Sequence, residues 1–145
     1  MGNLYETDFY AWTQAQADAL KRGDLSAADL SNIIEEIETM GRGEKRELAS
    51  RLEVLLTHLL KWRFQFLMRS NSWRRTINEQ RRKLARVLEE SPSLMPTLEA
   101  AIARAYVDAR GTASDETGIN AAHFPPVCPF TREQIFNADW LPDEK

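Results

Sequence analysis

Cysteine is nearly absent from this 145-residue chain. Cys128 is the only one, so no disulfide can form within the chain and stability has to come from a packed core. Histidine is scarce too, with His58 and His123 alone. One thiol and two imidazoles cannot complete the usual four-ligand structural zinc site, and a metal would need carboxylate ligands. No apolar run approaches the roughly 18 residues that cross a bilayer, so no membrane partner is expected. The opening MGNLYETDFYAW is acidic and aromatic, unlike a secretory leader, and its sixth residue, Glu6, breaks the myristoylation pattern. The expected compartment is the cytoplasm. Missing as well are a phosphate-binding glycine loop, an H-E-x-x-H motif, an E-x-x-H pair, any internal repeat and any convincing strand alternation. No cofactor is indicated.

Helical periodicity is abundant. The stretch 31–70 organises the chain. Leu30, Ile33, Ile34 and Ile37 share a face with Gly41, and Gly41 and Gly43 bracket Arg42 as a helix stop and restart. Beyond it, residues 44–68 place Leu48, Leu52, Leu55, Leu56, Leu59, Trp62 and Phe66 on one wide apolar face. An antiparallel hairpin of these two helices is therefore expected at the centre. An earlier helix is expected over 8–21, with Thr7 or Asp8 as its cap and Gly23 beyond its end, and Ser26 suits the cap of the next. Asn71 or Ser72 could cap a helix to about residue 90, Ser91-Pro92 closes it, and another helix runs over 93–116 with Gly118 as its stop. Thr131 and Gln134 match a capping box for a short last helix. The expected fold is all-α: a single-domain bundle of about five helices over 1–145, with a central helical hairpin and a short C-terminal helix.

Charge is uneven. Residues 42–86 hold thirteen Lys or Arg against four Asp or Glu, a net of +9, while the remainder carries −12. Within that block Trp62, Phe64, Phe66 and Trp73 interleave with Lys61, Arg63, Arg69, Arg74 and Arg75, a mixture suited to phosphate contact and base stacking. Pairing with the acidic remainder inside the fold is the competing explanation. Gln80 falls in the apolar stripe formed by Trp73, Ile77, Leu84, Val87 and Leu88, so a polar core network or a polar cover is expected there. His58 lies on the flank of the leucine face, as a boundary histidine or as a general base.

The segments LYETDFYAW (4–12), EEIETMG (35–41), EKREL (44–48), HLLKW (58–62), SWRRTINEQR (72–81), SPSL (91–94) and FPPVCPFT (124–131) resemble a bacterial family catalogued as domain of unknown function twenty-nine. The resemblance spans nearly the whole chain and implies a compact all-helical protein. It brings no agreed activity, substrate or cofactor. Asp8, Glu36, His58, Trp73 and Gln80 match recurring motif residues of that family.

Two functions are expected to compete. The first is a binding or regulatory module acting on a protein or nucleic-acid partner through Lys61, Arg69, Arg74 and Arg75, with Trp73 and Gln80 in a polar core network. The alternative is a small hydrolase using Asp8, Glu36 and His58, with a divalent metal as an option.

Overall fold

A computed structural model describes residues 3–143, and these are largely helical with no strand. The helices are α1 (Leu4–Thr7), α2 (Phe9–Lys21), α3 (Leu30–Phe64), α4 (Asn71–Glu90), α5 (Leu98–Thr117) and α6 (Arg132–Phe136), joined in places by single 3-10 turns. None is long and apolar enough to cross a membrane. The all-α expectation holds.

The central hairpin does not form. Residues 30–64 make one uninterrupted helix of 35 residues. Gly41 and Gly43 keep ordinary negative φ, and among the described residues only Gly23 and Gly118 adopt the left-handed conformation that ends a helix. A glycine inside a helix costs about 1 kcal/mol relative to alanine. That penalty is small beside the preference of the long flanking helix-forming segments, so the pair weakens the helix without breaking it.

The chain divides into two compact units, Met1–Gly43 and Glu44–Lys145. In the first, Asp8 closes α1 and opens α2, accepting a hydrogen bond from the Ala11 amide at 3.1 Å. Asp29, rather than Ser26, caps α3, taking the Asn32 amide on its carboxylate. Asp29 also receives Trp12 Nε1 at 3.2 Å, and its own amide donates to Gln16 Oε1 at 2.6 Å. These bonds and the ring contacts of Tyr5, Phe9 and Trp12 hold α1 and α2 to the start of α3.

In the second unit Leu52, Leu55, Leu56, Leu59 and Leu60 of α3 are fully buried. Each such leucine contributes roughly 1.5–3 kcal/mol by leaving water. They share one cluster with Ile77, Leu84 and Val87 of α4, Leu98, Ile102, Ala105 and Ala109 of α5, and Phe124, Phe130 and Ile135 beyond it. Small alanines on α5 let its backbone approach closely. Tyr106 and Arg110 then bind the Pro125 and Phe124 carbonyls, strapping the proline-rich segment across α5. Ser70, one residue before the expected caps, closes the start of α4. The helix expected from residue 93 starts instead at Leu98, after a 3-10 stretch over Pro92–Thr97. Gly118 and the Thr131–Gln134 capping box behave as expected.

A Cβ added at Gly43 would meet nothing within 4 Å. Replacing Gly43 with alanine should therefore raise stability by about 0.5–1 kcal/mol. Urea unfolding followed by circular dichroism measures this, and a destabilised variant would show that residues 41–43 need a non-helical backbone.

Candidate nucleic-acid interface

Helix α4 separates its arginines by burial. Its inner side carries Ile77, Gln80, Arg81, Leu84 and Val87. Arg81 is buried, with Nε donating to the Ile135 carbonyl at 2.8 Å and Nη2 to the Gln134 carbonyl at 3.0 Å. A cation here meets the negative end of a short helix, adding a donor to the Gln134 carbonyl that also accepts from the Asn137 amide. Burial pushes the Arg81 pKa down, yet a guanidinium stays protonated at any ordinary pH.

The outer side is different. Asn71, Arg75, Asn78 and Arg82 step by four, three and four residues, which aligns them on one face away from the core. With Ser72 and Arg74 they line a cleft of about 470 Å³ at the start of α4. Arg74, Arg75 and Arg82 are exposed, and none makes an ion pair among the described residues. The amino end of a 20-residue helix adds its own partial positive charge. A second hollow, lined by Trp62, Arg69, Ser70, Asn71 and Arg74, adjoins the first through Asn71 and Arg74.

The four cations expected at a partner surface separate accordingly. Arg74 and Arg75 line the cleft. Arg69 lines the adjoining hollow, its Nε bonded to the Trp62 carbonyl at 2.8 Å and its Nη2 to the Pro142 carbonyl at 3.3 Å. Lys61 lies inward, its side chain 12% exposed, with Nζ 2.8 Å from Glu116 and 4.9 Å from the centre of the Trp73 ring. The aromatics divide in the same way. Trp62 is buried beneath the guanidinium groups of Arg69 and Arg74, Phe64 packs edge-on to Phe124, and Trp73 is half-buried. Phe66 remains exposed, in the 3-10 turn before α4. Arg82 was missed by sequence reasoning. Its signal was the four-three-four spacing opposite the Ile77–Leu84 stripe.

Family resemblance over nearly the full chain is matched by a family model, described as Domain of unknown function DUF29, which covers residues 4–141. The chain belongs to the DUF29 family. No curated protein and no solved structure matches it.

The three residues of this DUF29 chain expected to serve a hydrolase, Asp8, Glu36 and His58, each have a local partner. Asp8 caps α2. Glu36 accepts the Tyr5 hydroxyl. That bond and the surrounding carboxylates push the Tyr5 pKa up to about 12. His58 Nδ1 donates to the Val54 carbonyl, one turn back on α3, at 2.8 Å. Burial lowers the His58 pKa, Lys61 lowers it further, and the Val54 bond and Glu116 oppose them. Glu36 and His58 stand 22 residues apart on one helix, so no hairpin brings them face to face. Among the described residues, no three His, Cys, Asp or Glu side chains lie close enough to hold a metal ion together. Cys128 is half-buried with its thiol pKa raised by burial, the environment of an unreactive thiol.

Trp73 and Gln80, expected to share a polar core network, have separate partners. Gln80 is buried, and its Oε1 accepts from Arg51 Nη1 at 3.3 Å, while Arg51 Nε binds Glu47 at 3.2 Å. Trp73 lies under Lys61 rather than on Gln80. A Gln80→Leu variant leaves Arg51 Nη1 without its acceptor. Because Arg51 is partly open to water, the loss should be near the low end of roughly 1–3 kcal/mol. Chemical denaturation reads this directly, and an unchanged or increased stability would show that the Glu47–Arg51–Gln80 chain contributes nothing.

Proposed function

We propose that the chain is a binding module that takes the phosphate backbone of a single-stranded nucleic acid along the outer face of α4. The observation that carries this reading is the set of exposed arginines at 74, 75 and 82, which form no ion pair among the described residues and line one cleft along α4, with Arg74 and Arg75 near the positive end of the helix. Along the axis Arg75 and Arg82 are about 10 Å apart, so one extended strand can touch both. Asn71 and Asn78 supply neutral donors between them. Exposed Phe66 offers a ring for one base, and stacking of that kind is indifferent to sequence. Affinity would come mainly from release of counterions, which predicts weak sequence preference and strong salt dependence.

Asp8, Glu36 and His58 are read as structural in this account, because each is engaged by a neighbour within its own unit.

The test is fluorescence anisotropy with a labelled single-stranded oligonucleotide over a salt series. The logarithm of the binding constant should fall linearly with the logarithm of salt. Each of Arg74→Ala, Arg75→Ala and Arg82→Ala should reduce that slope by about 0.7. No binding at low salt, an unchanged slope in the triple variant, or binding to anionic lipid vesicles instead of oligonucleotide would overturn the proposal.

A further inference from the structure

Within the second unit, α3 and α5 border a groove of about 500 Å³ that shares no lining residue with the α4 cleft. Its two walls run in the same direction. Glu53 accepts from Thr112 Oγ1 at 3.1 Å, and further along both helices Lys61 meets Glu116 at 2.8 Å. The floor is apolar and built largely of small side chains. Leu48 and Ala105 are buried there, Ala101 is half-buried and Ala49 is exposed.

The charges that line this groove are sorted by end. On α3, Lys45, Ala49 and Glu53 step by four residues along one face, and Arg46 stands beside Lys45. On α5, Ala101, Arg104 and Asp108 step by three and four. Lys45 and Arg46 therefore stand at one end, and Glu53 and Asp108 at the other, with Arg104 a turn before Asp108. The span from Lys45 to Glu53 is about 12 Å along α3. Lys45, Arg46, Arg104 and Asp108 are exposed, and none forms an ion pair among the described residues.

We infer that the groove docks an amphipathic helix of a partner protein, with an acidic and a basic side chain two turns apart and apolar side chains between them. The order of charge along the groove selects this occupant. Its acid meets Lys45 and Arg46, its base meets Glu53 and Asp108, and its apolar side chains cover Ala49 and Ala101. A rise of about 12 Å is that of eight helical residues, so both charges share one face with the apolar residues. The walls favour a helix over an extended peptide. Their backbone groups are bonded within α3 and α5, so an added strand finds no ladder to join, whereas a helix satisfies its own. The small floor lets the side-chain ridge of a third helix sink between the other two.

Fluorescence anisotropy with a labelled, designed peptide tests this on the full chain. The peptide has about 16 residues, enough to hold a helix, with glutamates and lysines two turns apart on one face and leucines between them. Wild type should bind it, and Ala49→Trp should fill the groove and weaken binding about tenfold or more. Ala49 is exposed, so that variant should keep its helical circular dichroism. K45E/R46E makes both ends of the groove acidic. It should bind the peptide more weakly and switch its preference to a peptide in which lysines replace the glutamates. A chain that fails to fold cannot produce that switch. No binding by wild type, unchanged affinity in Ala49→Trp, or no switch in K45E/R46E would overturn the inference. So would self-association of the wild type that Ala49→Trp abolishes, which would give the groove to a second copy.

Discussion

Burial of the leucines of α3 between Leu48 and Leu60 is the constraint on which residues 44–143 depend. No side chain there can be both a leucine and solvated without losing roughly a kilocalorie or more, so α4, α5 and the segment after it are placed to cover that face. The covering elements need not be strongly apolar. Helix α4 has few apolar residues and still packs, because Ile77, Leu84 and Val87 recur at helical spacing, Gln80 accepts from Arg51 and Arg81 donates to carbonyls of α6. Arg81 is the extreme case. It is inside because α6 ends beside it, and the Ile135 and Gln134 carbonyls accept from its Nε and Nη2, while Nη1 is buried without a protein partner.

This geometry divides a single basic block into cations with different work. Lys61 and Arg81 hold elements together, and Arg51 links Glu47 to Gln80. Arg74, Arg75 and Arg82 are left facing water. Placing several like charges along one exposed helix face is unfavourable in the free protein, and a polyanion would relieve it. The same division explains why the aromatics of the block do not form a stacking surface. Trp62 and Trp73 serve as undersides for cations, and Phe66 alone stays open.

Much of the fold was legible wherever a local signal had no competitor. The stripe from Leu48 to Trp62, the Asp8 cap, the left-handed Gly118 and the Thr131–Gln134 box all act within a few residues. Gly41 and Gly43 misled because a glycine marks a helix end only if its backbone turns left-handed, and the residues on its C-terminal side decide that. Here Glu44 and its successors favour helix. The site was legible only in part. The charge count located the basic block, and the wheel placed Gln80 inside. Which cation finds a carboxylate or amide partner depends on residues 29 to 55 positions away, such as Gln80 for Arg51 or Glu116 for Lys61, and no local pattern records that.

The central claim is that burial separates adjacent arginines of α4 into structural and binding groups. Side-chain Nε–H resonances of arginine, followed by NMR while a single-stranded oligonucleotide is added at low salt, address it most directly. Resonances of Arg74, Arg75 and Arg82 should move with added strand, and that of Arg81 should stay where it is. Perturbation of Arg81 together with its neighbours, or no change at Arg74, Arg75 and Arg82, would contradict the account.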